Sequence, residues 1–227
     1  MKNLKGVIIF VVLLSMSNYM LADKWKGAVN PAPNERATAG CEPGRTSTEL
    51  AINNVRALIH TGGDMWWDWN VTFGAKYEVP KDSGINALFT GAIWIGGLDM
   101  TGNLKLAAET YRQGGFDYSP GPLTTDSANI TFVECELWDK HFKINATMID
   151  SFKTAYLNGS VGNGTYVIPD VIIDWPAHGN TTLNQSQYLA PYKNINNTDD
   201  GQYDPISGDY PDIKGDQSIW WIINDKG

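Results

Sequence analysis

The sequence predicts a mostly β fold that is β-sandwich-like, with one or two covering α-helices. Two patterns predict it: an apolar hairpin in the first half of the chain and one clear stretch of helical period in the second half. Several further short segments have strand character and are separated by turn residues such as Gly, Pro, Asn and Asp. Short strands therefore outnumber helices in the predicted fold.

The hairpin is the strongest local pattern. Residues 89–98 are apolar and rich in β-branched side chains, residues 99–103 have turn chemistry, and residues 104–112 alternate. Because the first strand is apolar on both faces, we expect it to be buried on both sides, with a bulge at Gly96-Gly97. The second strand is expected to face the core with Leu104, Leu106 and Ala108.

The helical period begins after Asn145, which is a favourable N-cap residue. Apolar side chains recur at helical spacing as far as Tyr156, and Asn158-Gly159 supplies a stop. We expect this helix to cover the sheet and a shorter helix to precede it at residues 134–142. Strands are expected at residues 49–59, 75–79, 166–175 and 218–223.

The start of the chain is typical of a secretory signal peptide. Lys2 and Lys5 precede a short apolar run and a small-residue exit that ends at Ala22. The apolar run is shorter than the roughly 20 residues of a membrane-spanning helix, which is the alternative. We therefore expect residues 1–22 to direct export through the Sec pathway to the cell surface or the medium.

Three segments follow from this layout. Residues 1–22 are the signal peptide, residues 23–48 are expected to form an extended leader, and residues 49–227 a β-rich module. The leader assignment is based on prolines without hydrophobic periodicity. Because a hydrophobic strand is predicted only four residues before the last residue, we expect the module to be truncated at its C-terminal end.

The composition excludes one class of partner. The net charge is -8, and Lys and Arg form no run, whereas binding to nucleic acid requires a concentrated positive surface. Two cysteines, Cys41 and Cys135, stand far apart in the sequence. In an exported protein they are expected to form one disulfide, and the alternative is two separate buried thiols.

A tryptophan flanked by two carboxylates is the first candidate binding site. Strand alternation would place Asp64, Trp66 and Asp68 on one face, opposite Met65, Trp67 and Trp69. An indole beside carboxylates can stack on a sugar ring and accept hydrogen bonds from its hydroxyls. The alternative is that Trp66 packs under a neighbouring loop.

An acidic loop is the second candidate site. Its side chains alternate around Gly201 in a pattern that supplies oxygen ligands to Ca²⁺. Position 12 of the loop would be Ser207 instead of a bidentate Glu, so the loop is no true EF-hand. The alternative is a solvated acidic turn. The predicted ligands are Asn194, Asn196, Thr198, Asp200, Asp204 and Asp209.

The sequence names no catalytic residue. Its three histidines, His60, His141 and His178, are scattered and have no metal-ligand spacing. Asp64, Asp68 and Asp174 stand beside tryptophans in a pattern similar to a glycosidase cleft, but sequence does not fix the distance between them.

Long strings of the chain resemble the N-terminal region of large exported Bacteroidota proteins. They are NNVRALIHTGGDMWWDW (residues 53–69), YEVPKDSGINALFTGAIWIGGLDMTGNLKLAAETYRQGGFDYSPGPLTTD (residues 77–126), WPAHG, YLAPY and GDQSIWWIINDKG. The resemblance implies a C-terminal type IX secretion sorting domain beyond these residues and export machinery as a partner. It supplies no catalytic residues. In such proteins the acidic loop is a tighter run of alternating Asp and Gly. In this chain, Asn194 and Asn196 stand at positions where Asp is usual.

Three functional hypotheses follow. The first is a non-enzymatic N-terminal module of a secreted or surface-attached bacterial protein with a structural or adhesive role. The second is a carbohydrate-binding module that uses Trp66 with Asp64 and Asp68, so that a glycan or another cell-surface molecule would be the partner. The third is a fragment of a secreted polysaccharide-active hydrolase.

Overall fold

In a computed structural model of the chain, the described residues are 41–68, 70–71, 74–108, 117–179, 189–198 and 200–225. All of them belong to one compact unit. The predicted signal peptide and residues 23–40 of the predicted leader lie outside the described residues, as does Trp69 of the predicted core face.

The described residues form mostly strands with few helices, as predicted. The helices are α1 Phe132–Trp138, α2 Ala146–Leu157 and α3 Asp170–Ile173, with a 3₁₀ turn at Pro205–Ser207. The strands are β1 Ser47–Leu50, β2 Arg56–His60, β3 Asp64–Met65, β4 Tyr77–Glu78, β5 Asn86–Leu88, β6 Gly91–Ala92, β7 Trp94–Leu98, β8 Leu104–Ala108, β9 Ser119–Pro120, β10 Phe142–Asn145, β11 Tyr192–Asn194, β12 Asp209–Pro211, β13 Gln217–Trp220 and β14 Ile223–Asn224.

Strand β2 is the centre of a six-stranded antiparallel sheet. It pairs with β1 along one edge, and its other edge is shared by β3 and β4. Strand β5 extends the sheet beyond β4, and β6 extends it beyond β3. Two strands thus form where one was predicted at residues 49–59.

The remaining strands form four separate two-stranded sheets: β7 with β8, β9 with β14, β10 with β13 and β11 with β12. Several small antiparallel sheets are therefore present, and a sandwich of two large sheets is not shown by the part of the chain that the structure describes.

The predicted hairpin forms, but its predicted burial is wrong. Strands β7 and β8 pair in a continuous register from Trp94 opposite Ala108 to Leu98 opposite Leu104. Gly96 and Gly97 each have one partner in this register, so they do not form the predicted bulge. Every residue of β7 is exposed, and so are Leu104 and Leu106 of β8, because neither a second sheet nor a helix covers the hairpin among the described residues.

Helices α1 and α2 begin as local sequence rules predict. The Asn145 Oδ1 accepts a hydrogen bond from the Met148 backbone N–H at 3.0 Å, and α2 has the predicted bounds. Thr131 and Glu134 form a capping box at the start of α1, which lies two to four residues earlier than predicted.

The largest described core lies in the second half of the chain. Helix α2 contributes Ile149, Phe152 and Ala155, and it packs with β10 and the segment after α3 instead of covering the hairpin. The buried members of this core are Phe142, Ile144, Ile149, Phe152, Ala155, Val161, Ile172, Trp175, Ala177, Ala190 and Tyr203.

Two predicted strands have a different structure. Residues 166–175 were predicted as a strand interrupted by Pro169, whereas Pro169 is the N-cap of helix α3. Pro169 has a ψ of 138°, which is extended, and helix α3 begins at the next residue, Asp170. The predicted strand at residues 218–223 is divided, since β13 pairs with β10 and β14 pairs with β9.

The segment before β1 is joined to helix α1 at two points. Cys41 and Cys135 form the predicted disulfide. The Asp139 carboxylate accepts hydrogen bonds from the backbone N–H groups of Arg45 and Thr46, at 3.0 and 3.2 Å, and from the Thr61 hydroxyl. Residues 41–48 of the predicted leader are therefore part of the described fold, which was predicted to start near Glu49.

Removal of the disulfide is expected to destabilise the fold strongly. The two cysteines are 94 residues apart, so the bridge removes much of the conformational freedom of the unfolded chain. We expect the double substitution Cys41→Ser with Cys135→Ser to lower the free energy of unfolding by about 4 kcal/mol in urea titrations.

Reduction of the wild-type protein should reproduce this loss, and the reductant should leave the double variant unchanged. Equal urea midpoints for oxidised wild type and the double variant would contradict a stabilising role.

Candidate functional site

The predicted alternation around Trp66 is wrong because the strand ends too early. Strand β3 contains only Asp64 and Met65, and Trp66 has a φ of 70°, in the left-handed region. The backbone therefore leaves the extended conformation before Asp68. As a result, Asp64, Trp66 and Asp68 do not share one face of a strand.

Asp64 lies inside the protein. It is 6% exposed, and its Oδ2 accepts a hydrogen bond from the Trp67 indole N–H at 3.0 Å. Burial raises the pKa of Asp64, while the charge of His60 and the Trp67 hydrogen bond oppose that shift. His60 is also buried, and its Nε2 lies 2.9 Å from the Trp67 carbonyl oxygen, to which it donates.

Trp66 and Asp68 are half-buried and contact different neighbours. The Trp66 ring meets Tyr77 edge to face, with 5.2 Å between ring centroids. It also lies on Gly91, where a Cβ atom would come within 2.6 Å of the indole. The Asp68 Oδ1 accepts from the Asn70 backbone N–H at 2.9 Å. The three side chains of the predicted sugar platform therefore do not line a common binding surface.

The acidic loop is held together by its own hydrogen bonds. Asp209 is buried, with Oδ1 accepting from the Asn194 side-chain amide at 2.7 Å and Oδ2 from the Asp204 backbone N–H at 2.8 Å. Burial raises the pKa of Asp209 despite these hydrogen bonds. Asp204 accepts from the Ile206 backbone N–H and the Ser207 hydroxyl, at 2.9 and 2.6 Å.

The other predicted ligands of the loop are exposed and spread apart. The Asn196 amide lies 3.2 Å from the Tyr156 hydroxyl, and Asp200 accepts from the Gln202 backbone N–H at 2.9 Å. Thr198 lines a groove of about 280 Å³ that it shares with the cation Lys193. No three His, Cys, Asp or Glu side chains are grouped to hold a metal ion within the described ranges.

A buried polar cluster at the helix α1 end was not predicted. The His141 ring contacts the Trp221 ring, with 5.7 Å between centroids, and both His141 nitrogens are buried without a hydrogen-bond partner. Asp139 and His60 are close enough to influence its charge. No sequence spacing indicates this cluster, because its members come from three segments, around His60, around Asp139 and His141, and at Trp221, that only the tertiary fold brings together.

A second groove, of about 450 Å³, runs along helix α2. Its lining carries hydroxyl and amide groups with one carboxylate and no cation: Asp150, Ser151, Thr154, Ala155, Asn158, Ser160, Thr165 and Tyr166. Such a lining suits a neutral polar molecule better than an anion.

The chain matches no protein-family model, no curated protein and no solved structure. Functional inference therefore depends on the residues described above. Within the described part of the chain, no helix is both long enough and apolar enough to span a membrane.

The half-buried His141 predicts an acid-sensitive fold. Burial of its ring lowers the pKa of His141 to about 4; the charges of His60 and Lys143 also lower it, and the charge of Asp139 opposes them. Between a pH of about 6.5 and about 4, the unfolded chain binds a proton at this residue and the folded chain does not. Stability is therefore lost as the pH falls through this window. The full shift corresponds to about 3 kcal/mol, and because the residue is only half-buried, solvent screening reduces the expected loss to about 2 kcal/mol.

Urea midpoints measured across this pH range test the prediction. His141→Phe removes the titrating group and keeps the ring contact with Trp221, so its midpoint should fall less steeply on acidification. The same slope in wild type and variant would show that His141 is not responsible.

The hydrogen bonds of Asp209 predict a structural role that does not require metal. We expect Asp209→Ala to lower the free energy of unfolding by about 2 kcal/mol, because two donors lose their acceptor. The loss should be the same in chelator and in millimolar Ca²⁺, while Asp150→Ala, on the exposed side of α2, should have little effect. A wild-type melting temperature that rises with Ca²⁺, and an Asp209→Ala melting temperature that does not, would instead support the calcium site.

Proposed function

We propose that this chain is a non-enzymatic module of a secreted or surface-attached bacterial protein, with a structural or adhesive role. The observation that supports it best is that the carboxylates predicted as ligands or catalysts are bound to protein donors. Asp64 accepts a hydrogen bond from Trp67, and Asp209 accepts hydrogen bonds from Asn194 and Asp204. The Cys41–Cys135 disulfide is consistent with an extracytoplasmic protein.

The resemblance to exported Bacteroidota proteins adds to this proposal a sorting domain beyond residue 227, and the sequence pattern of the hairpin adds a sandwich-like arrangement of sheets. Both stay predictions, and so does Ca²⁺ binding by the acidic loop.

Assays of the full chain against polysaccharides test the non-enzymatic proposal. We expect no release of reducing sugar above that of a heat-denatured sample. Hydrolysis that disappears in Asp64→Asn and persists in the control Asp170→Asn, at an exposed position outside both grooves, would overturn the proposal in favour of a hydrolase fragment.

Glycan binding is the second candidate function, and the groove along α2 favours it. A lining of hydroxyls and one carboxylate can exchange hydrogen bonds with sugar hydroxyls, and Tyr166 adds an aromatic surface. The earlier platform is reduced to Trp66 and Asp68, since Asp64 is buried.

A glycan array with two matched variants separates these sites. Binding that is lost in Tyr166→Ala and retained in Trp66→Ala assigns the groove, and the reverse assigns the predicted platform. Melting temperatures must accompany the array, because Trp66 packs on Gly91 and Tyr77. No glycan bound by the wild type would end this candidate.

A further inference from the structure

The hairpin β7–β8 presents an apolar face that is exposed. Residues paired across an antiparallel ribbon point to the same side, so Leu98 shares a face with Leu104, and Gly96 shares it with Leu106. The three leucines are 73%, 72% and 58% exposed. Trp94 at the base of this face is 66% exposed, and Met100 at the tip is fully exposed.

The base of the ribbon, at Ala107 and Ala108, is joined to the rest of the protein. Ala107 is buried, and the buried Tyr118 donates its hydroxyl to the Ala107 carbonyl oxygen at 2.8 Å. The Ala108 backbone N–H donates to the Asp117 carboxylate at 2.9 Å. The leucine face is therefore held in place before any partner binds, which lowers the entropic cost of association.

Water is an unfavourable neighbour for such a ribbon. A two-stranded sheet is only marginally stable when its apolar side chains are solvated, and it usually needs a third strand or a packed surface. Scattered exposed leucines are ordinary on proteins, but a contiguous apolar face of this kind marks an interaction surface.

We propose that the face formed by Trp94, Leu98, Leu104 and Leu106 is a homodimer interface, occupied by the same face of a second copy of this chain. In a two-fold arrangement the same patch of both copies forms the interface, so the patch must be self-complementary. This inference does not depend on the proposed function.

The charge distribution on the leucine face is compatible with a second copy. The net charge of -8 makes two copies repel one another, so self-association requires a contact surface without like charges. The leucine face contains no charged residue, and the nearest charges, Asp99 and Lys105, have opposite sign with 3.9 Å between their nitrogen and oxygen atoms. Self-contact through this face therefore brings no like charges together inside the interface.

The exposed area is sufficient for a dimer of modest size. Large apolar side chains offer roughly 150–250 Å² each, so these residues together with Met100 expose on the order of 600 Å² per copy. Two copies would bury about 1,200 Å², which is the lower limit of specific, stable interfaces. The area predicts a weak to moderate dimer.

The hairpin tip argues against a lipid surface as the occupant. Asp99 accepts hydrogen bonds from the backbone N–H groups of Thr101 and Asn103, both at 2.9 Å, and carries its charge beside Met100. The hydrogen bond from the Thr101 hydroxyl, and after it the one from the Asn103 backbone N–H, lower the pKa of Asp99 and keep it ionised. Inserting this tip into a bilayer would bury a charge.

Sedimentation equilibrium of the full chain tests the proposal. We expect a reversible dimer with a dissociation constant between about 1 and 100 µM, measured at protein concentrations that span this range. Leu98→Glu with Leu104→Glu places four carboxylates in the interface and should raise the dissociation constant at least 100-fold. The control Leu157→Glu, at the exposed end of α2, should dimerise as the wild type does.

A milder variant protects the test against misfolding. Leu98→Thr with Leu104→Thr introduces β-branched residues that favour strands and should raise the dissociation constant about tenfold, with an unchanged far-ultraviolet spectrum. A wild type that is monomeric throughout the range would overturn the proposal, and so would a dimer unaffected by either double variant. Cosedimentation of a monomeric wild type with neutral phosphatidylcholine vesicles, lost in the glutamate variant, would assign the face to lipid and also overturn it.

Discussion

The Asp139 carboxylate joins the sheet to the helices. It lies directly after helix α1 and accepts hydrogen bonds from the backbone of Arg45 and Thr46 and from the Thr61 hydroxyl. The Thr46 hydroxyl in turn donates to the Asp139 carbonyl oxygen at 2.7 Å. The chain before β1, the turn after β2 and the end of α1 thus meet at one residue, close to where the disulfide joins the same two segments.

The same use of carboxylates recurs at the candidate sites. Asp64 and Asp209 are buried and accept hydrogen bonds from protein donors. Asp139 is partly buried and also accepts hydrogen bonds from protein donors. A buried carboxylate is costly unless donors satisfy it, so such residues stabilise the fold only in their exact surroundings. Asp64 and Asp209, which resemble ligands in the sequence, therefore serve the fold, and the apolar ribbon is the surface that we propose for contact with a second copy.

Local rules explain which predictions succeed. The bounds of helix α2 were predicted correctly because the Asn145 side chain accepts a hydrogen bond from the backbone N–H of Met148, three residues later. This capping pattern is visible in the sequence. The β7–β8 pairing was predicted because turn residues fix it. The Cys41–Cys135 bridge was one of two alternatives, and export chemistry favoured the correct one.

Tertiary contacts explain the failures. Apolar composition predicted a buried hairpin, but burial depends on a covering element, and the described core forms instead around α2. The alternation at Trp66 ended because the chain turns after Met65. The cluster around His141 had no local signal, since its neighbours lie in distant segments. Pairing, capping and turns were accessible from sequence, whereas the location of the core and the partners of each carboxylate were not.

Asp139 couples the sheet to helix α1, and a double-mutant cycle measures that coupling directly. Free energies of unfolding for Asp139→Ala, Thr61→Ala and the double variant give the interaction energy between the two side chains. The structure predicts a coupling of at least about 1 kcal/mol, because each single substitution removes the same hydrogen bond. Additive effects of the two substitutions would contradict the account.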